Sequence, residues 1–113
     1  MSVIYKICPA ALWRAAERDG VFRGAPVDLA DGFIHFSTAA QVVETAAKHF
    51  AGESDLLVRV QADKLGDRLK WEPSRGGALF PHLYGPLAVR DVYKVEPLPL
   101  GTGSQHVFPP LQP

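Results

Sequence analysis

The stretch DGFIHFST, residues 31–38, carries the pattern that decides how this chain folds. Its apolar and aromatic centre predicts a short β-strand. Side chains alternate between the two faces of a strand, so Ile34 and Phe36 share one face while His35 and Ser37 share the other. Because the face with Ile34 and Phe36 must join the core, we expect His35 and Ser37 to face a cleft.

A helix is predicted directly after this strand. The motif TAAQ has the form of a capping box, in which Thr38 caps the third amide and Gln41 reaches back. The apolar stripe that follows extends the helix to about Phe50. Helix N-termini suit phosphate or a developing anion, so His35, Ser37 and this terminus form a candidate site. The alternative is a half-buried His35 that is bonded to a backbone carbonyl.

A second block, FPHLYGP at residues 80–86, also places a histidine among large apolar residues. Its two prolines argue against a regular helix or a central strand, so we interpret it as an aromatic loop. Such a loop either plugs a core edge or lines a pocket, where Tyr84 offers a stacking ring and His82 a titratable nitrogen. We therefore predict that both blocks build one site, with the His35 and His82 side chains beside the same cleft.

Trp71 and Glu72 form a third candidate. Glu72 is predicted at the end of a short strand, where functional sites are often built. The alternative is a surface carboxylate that pairs with Lys70 or Arg75. No cysteine and histidine spacing resembles a zinc site, so no metal site is predicted.

The remaining pattern predicts an α+β fold with a largely antiparallel sheet, because helices come early in the chain and strands late. The predicted strands are Val3–Ile7, Phe33–Ser37, Asp55–Val60, Leu69–Glu72 and one within Val89–Leu98. The first helix covers Ala10–Arg18, and Gly24–Gly32 is predicted as a loop. We expect one domain over residues 1–98 and a proline-rich C-terminal tail over 99–113.

Composition narrows the class of protein. The chain has 113 residues, a hydrophobic content of 47% and twelve basic against twelve acidic residues. Because this balance leaves no net charge to attract a polyanion, nucleic acid is an unlikely partner and no membrane binding is predicted. A small nucleotide-like ligand needs only a few local charges and is allowed. A single cysteine, no apolar span and no signal peptide favour a cytoplasmic protein. The sequence does not define its oligomeric state.

The two histidine blocks, together with IYKI at residues 4–7, Gln41 and Trp71-Glu72, resemble a small family known as a domain of unknown function, number nine-five-two. The match extends over nearly the whole chain up to Leu98. That family has been placed near the ADP-ribosyltransferase fold, which includes NAD-cleaving transferases. The resemblance implies two early helices packed on a mainly antiparallel split sheet, with a cleft that holds NAD as substrate or an ADP-ribosylated group.

The resemblance also implies roles for particular residues. The fold's usual histidine or arginine on the first strand is replaced here by Tyr5 and Lys6, and His82 stands where many transferases have a glutamate. The catalytic candidates are His35, His82 and Glu72. The substrate-binding candidates are Ser37, Thr38, Tyr84, Tyr5, Lys6 and Trp71. His35 would hold a ribose or phosphate oxygen, Ser37 the pyrophosphate or nicotinamide amide, and His82 would act as acid or base.

Three functions remain open at this point. The first is an NAD- or ADP-ribose-linked transferase or hydrolase. The second is a nucleotide or small-metabolite binding module without catalysis. The third is a protein that uses its histidine blocks only for packing or dimerisation.

Overall fold

A computed structural model describes residues 2–113, without the side chain of Arg75. The chain forms three α-helices, four short 3₁₀-helices and nine strands within this described range. The helices are α1 (Ala10–Asp19), α2 (Pro26–Asp31) and α3 (Ala39–His49). The strands are β1 (Val3–Cys8), β2 (Val21–Phe22), β3 (Ile34–His35), β4 (Ser37–Thr38), β5 (Asp55–Gln61), β6 (Leu69–Pro73), β7 (Leu79–Leu83), β8 (Leu87–Ala88) and β9 (Val92–Leu98). No helix in this range is long and apolar enough to cross a membrane.

The larger sheet has the strand order β4-β1-β5-β9, and all its pairs are antiparallel. Alternation along β1 sends its side chains into two separate cores. Ile4 and Cys8 pack with Trp13 of α1, whereas Val3, Tyr5 and Ile7 pack against α3. The sheet is therefore covered on both faces.

The smaller sheet has the order β3-β7-β6 and is also antiparallel. A two-residue pairing of β2 with β8 lies apart from it. The predicted α+β class with antiparallel sheets is confirmed.

The stretch predicted as one strand is divided between the two sheets. β3 belongs to the small sheet and β4 to the large one, and Phe36 connects them. Both Ile34 and Phe36 are buried, as the alternation predicts. The break at Phe36 joins the two sheets at the point where His35 and Ser37 lie.

The prediction that residues 80–86 cannot form a central strand was wrong, because β7 lies between β3 and β6. Pro81 is tolerated at the place where one ladder ends. Its carbonyl oxygen accepts a hydrogen bond from the Phe36 amide at 3.0 Å, but its nitrogen has no proton to return. β3 stops one residue earlier, at His35.

The predicted loop at Gly24–Gly32 was also wrong, because it contains α2. Pro26 begins this helix, and the Asp28 carboxylate accepts a hydrogen bond from the Ala25 amide at 2.8 Å. Gly32 ends the helix in the left-handed region with φ of 86°. The helix presents Asp28 and Asp31 towards β3.

The segment after residue 98 packs on the large sheet. Phe108 and Leu111 contact the core that includes Tyr5. The Tyr5 hydroxyl donates to the Gln112 carbonyl oxygen at 2.8 Å and accepts from the Gln112 amide at 2.6 Å. The Val3 amide donates to the carbonyl oxygen of Pro113 at 3.3 Å.

Candidate functional site

The two histidine blocks meet across the small sheet. His35 of β3 pairs directly with His82 of β7, and the centroids of their rings lie 5.5 Å apart in an edge-to-face arrangement. Both side chains line a cavity of about 480 Å³. The predicted proximity of the two histidines is confirmed.

The cavity opens where the two sheets diverge. β1 pairs with β4 only at Ile4 and Tyr5, so the next residues of β1, Lys6 and Ile7, lie along the cavity. Polar lining residues come from several elements: Lys6, Asp31, His35, Ser37, Thr45, His49, Ser74 and His82. The site thus combines an open strand edge with converging polar groups, an arrangement typical of ligand pockets.

Two residues that line the cavity, Lys6 and His35, both contact Asp28, which does not line it and is buried with 2% of its surface exposed. Its carboxylate lies 2.9 Å from the ammonium of Lys6, which is also buried. It also accepts from the His35 amide at 3.1 Å and lies 2.7 Å from Nδ1 of the same residue. We call Lys6, Asp28, His35 and Asp31 the α2 side of the site.

The charge state of Asp28 follows from these contacts. Burial by itself would raise the pKa of this carboxyl, but hydrogen bonds from His35, Lys6 and Ala25 and the charge of Lys6 outweigh it. Together they lower the pKa of Asp28 to about 2. Asp28 is therefore an anion at any pH near neutrality.

Asp31 holds the other end of the His35 ring, with its Oδ2 atom 2.9 Å from Nε2. An ionised carboxylate can only accept a hydrogen bond, so each of these two contacts calls for a proton on the ring nitrogen that it faces. The expected alternative, a bond from His35 to a backbone carbonyl, is replaced by this pair of carboxylates.

His82 lines the cavity from β7, and behind it lie Glu72 and Tyr84, which do not line the cavity; we call these three residues the hairpin side. Oε1 of Glu72 lies 2.8 Å from Nδ1 of His82 and accepts a hydrogen bond from the Tyr84 hydroxyl at 2.7 Å. These two bonds, first that of Tyr84, lower the pKa of Glu72, and the bond to Glu72 raises the pKa of Tyr84. Among the described side chains, none is hydrogen-bonded to Nε2 of His82.

Phe33 joins the two sides. Its ring centroid lies 4.1 Å from that of His82, 4.5 Å from that of His35 and 5.2 Å from that of Tyr84. These contacts fix the planes of all three rings.

The structure brings some of the predicted binding residues into the site. The Ser37 hydroxyl lies 2.9 Å from the Thr45 hydroxyl, which donates its proton to the Gln41 carbonyl oxygen at 3.1 Å. Ser37 is therefore the donor to Thr45, and its lone pairs remain for a ligand. Lys6 and Tyr5 also line the cavity, but Lys6 is paired with Asp28 and the Tyr5 hydroxyl with Gln112.

Three predicted binding residues, Thr38, Trp71 and Tyr84, and the catalytic candidate Glu72 are not among the described residues that line the cavity. The amide of Thr38 is bonded to Gln41 Oε1 at 3.0 Å. Trp71 pairs with Pro81 across β6 and β7, one position away from Glu72. It therefore projects from the opposite face of the small sheet and is exposed. The predicted pairing of Glu72 with Arg75 falls on a side chain outside the described part.

Asp28, Asp31 and Phe33 are site residues that were not predicted from the sequence. Phe33 has the same strand parity as His35, which was a usable signal. The three-residue spacing of the two aspartates places them near each other only on a helix, and the segment was predicted as a loop.

Other reactive groups offer less. Cys8 is buried, and burial raises the pKa of its thiol to about 12, so it is a poor nucleophile. Within residues 2–113, no group of three or more histidine, cysteine or acidic side chains has a metal-binding arrangement.

Comparisons with known proteins agree on the family and leave its activity open. Residues 7–95 match the family described as protein of unknown function (DUF952). The crystal structure of protein CC0527 from Caulobacter crescentus is 50% identical, with 94% of each chain covered and a TM-score of 0.91. The solution NMR structure of CC0527 is 52% identical over 93% of this chain and 91% of that one, with a TM-score of 0.84.

No curated protein matches the chain. The family model covers most of the sequence, and the same fold recurs in a relative of about half-identical sequence. The chain therefore belongs to the family of proteins of unknown function, DUF952.

Proposed function

We propose that this protein is an enzyme that cleaves or transfers an ADP-ribose-linked group, with NAD as its substrate and His82 as its acid–base residue. The observation that carries this proposal is the environment of the His82 side chain. One ring nitrogen is held by Glu72, while the side chain lines a cavity large enough for a nucleotide-like ligand.

His82 has the arrangement that general acid–base catalysis requires. Glu72 accepts at Nδ1, which places the proton of the neutral ring on that nitrogen and leaves the Nε2 lone pair as the base. In hydrolysis, the bond between nicotinamide and ribose would break, water would supply the new bond to the ribose carbon, and Nε2 would take the water proton. In transfer, an acceptor hydroxyl would replace water.

Groups around the cavity suit the rest of such a ligand. Phe33 packs on the rings of His82 and Tyr84 and so supports His82 at the edge of the cavity, although neither Phe33 nor Tyr84 lines it. The Ser37 hydroxyl and the open edge of β1 at Lys6 and Ile7 offer hydrogen bonds to a planar amide or a phosphate. The division into two small antiparallel sheets fits an ADP-ribosylation-like fold, which we include in the proposal.

A second candidate is a binding module without catalysis. It is favoured by the engagement of Lys6 and His35, since carboxylates already contact the Lys6 ammonium and both ring nitrogens of His35. Such a cavity would bind a nucleotide without assisting a reaction.

An experiment separates these candidates. Wild-type protein, His82→Gln and the control His106→Gln are incubated with NAD, and nicotinamide release is measured. His106 contacts the Glu53 carbonyl oxygen and does not line the cavity. We expect release by wild type and by His106→Gln and loss of release in His82→Gln. Binding of ADP-ribose without release by any variant would favour the binding module, and the absence of both would overturn the proposal.

A further inference from the structure

The contact between Asp31 and His35 differs from that between Asp28 and His35. The side chain of Asp31 is 48% exposed, while that of Asp28 is 1% exposed. Asp28 has four donors on three residues, whereas the hydrogen bonds of the described residues give Asp31 only Nε2 of His35. Asp31 is therefore the replaceable partner of the ring.

We propose that Asp31 determines ligand specificity by occupying the position on His35 Nε2 that an anionic oxygen of the ligand takes. This inference rests on the proposed function, because it assigns one ligand group within the same cavity. A phosphate oxygen is the expected occupant, since it accepts a charge-assisted hydrogen bond as the carboxylate of Asp31 does. A neutral sugar or base would compete poorly with the carboxylate.

Replacement of Asp31 by a ligand oxygen at His35 costs little free energy. Asp31 is the last residue of α2 and is followed by Gly32, and its carboxylate can return to water when it leaves His35. A carboxylate at the end of a helix also opposes the helix dipole, so its release does not weaken α2. Asp28 stays in place and keeps the ring oriented.

The charges around His35 determine whether Asp31 raises or lowers the affinity for an anionic ligand. Asp28 and Asp31 of α2 contact the ring of His35, and His82 of β7 lies beside it. Glu72 contacts His82, and Lys6 of β1 contacts Asp28. Once displaced, Asp31 remains a nearby negative charge that repels an anionic ligand. Asp31 therefore lowers the affinity for anions, while Asp28 orients the ring that would bind them.

The test measures binding of inorganic pyrophosphate and of ADP-ribose by calorimetry to wild type, Asp31→Asn and Asp19→Asn. Asp19 is the matched control, since it is an exposed carboxylate in an i,i+4 pair with Arg23 and does not line the cavity. We expect Asp31→Asn to bind both probes about fivefold more tightly than wild type, a change that corresponds to one exposed charge pair. Asp19→Asn should match wild type.

The two proposals fail in different ways. If Asp31→Asn binds pyrophosphate no more tightly than Asp19→Asn, or does not bind it at all, the role of Asp31 is overturned, and nicotinamide release by wild type would still support the proposed function. If Asp31→Asn binds pyrophosphate more tightly while no variant binds ADP-ribose or releases nicotinamide, the role of Asp31 holds and the proposed function fails. A thermal melt of each variant checks that every protein in the comparison is folded.

Discussion

The α2 side and the hairpin side hold two histidines in opposite ways, although these residues are direct partners in one sheet. On the α2 side, the carboxylates of Asp28 and Asp31 face the two ring nitrogens of His35, and Asp28 also pairs with the buried Lys6. On the hairpin side, Glu72 faces one nitrogen of His82. A ring held at both nitrogens is suited to binding and orientation, whereas a ring held at one is suited to moving a proton.

The largest expected effect is on stability and lies on the α2 side. Asp28→Ala should lower the free energy of unfolding by about 3–5 kcal/mol, because it leaves the buried ammonium of Lys6 without a counter-charge. Urea denaturation measures the loss. The control Asp31→Ala removes an exposed carboxylate and should cost less than about 1 kcal/mol. Equal losses in both variants would show that the two aspartates are not distinguished in this way.

A large effect on turnover is expected on the hairpin side. His82→Gln should lower the rate of nicotinamide release by about 100-fold or more, the usual contribution of a general acid–base group. Glu72→Gln should cause a smaller loss, because it disturbs the orientation of His82 and leaves its ring in place. Steady-state kinetics on the three proteins measure both. An inactive Glu72→Gln beside an active His82→Gln would assign the proton transfer to Glu72.

The α2 side should also respond to acid. The pKa of Asp28 is lowered from 3.8 to about 2, so its contribution to stability is present above pH 3.8 and is lost as the pH falls towards 2. Unfolding curves recorded between these pH values should show this loss in wild type. They should show less of it in Asp28→Asn. A pH dependence that is unchanged by this substitution would place the acid-sensitive group elsewhere.

The smallest effect is expected from removal of one hydroxyl on the hairpin side. Tyr84→Phe removes the first of the two hydrogen bonds that lower the pKa of Glu72, so this pKa should rise towards its ordinary value. Carbon NMR of the Glu72 carboxyl during a pH titration measures the change. Tyr93→Phe removes a hydroxyl bonded to Gln112 and should leave the Glu72 titration as it is in wild type. A similar titration in wild type and Tyr84→Phe would show that the Tyr84 hydroxyl does not lower the pKa of Glu72.

The sequence predicted the parts of the fold that depend on local pattern. β1, α1, α3 and β5 follow from alternation, helix periodicity and the TAAQ motif, and each lies within two residues of its predicted bounds. The same alternation placed His35 opposite Ile34 and Phe36. Local signals are sufficient here because each element buries a continuous apolar face.

The remaining parts depend on tertiary contacts. Pro81 argues against a central strand unless the neighbouring strand is known to end at His35. α2 has only six residues and is anchored by Asp28, whose partners Lys6 and His35 lie outside the helix, on β1 and β3. Since Asp28 was predicted within a loop, half of the candidate site could not be derived from the pattern. Trp71 was predicted with its neighbour Glu72, but period-two alternation sends it to the other face.

The most direct test of this account is an NMR titration with ADP-ribose that follows the imidazole nitrogens of His35 and His82. We predict that Nε2 of both rings shifts as ligand oxygens reach them, while Nδ1 of each ring keeps its contact with Asp28 or Glu72 and shifts little. The control signal is His106, which lies outside the cavity and should not move. Saturation with ADP-ribose that leaves the nitrogens of both His35 and His82 unchanged would contradict the claim that these two histidines form a ligand site.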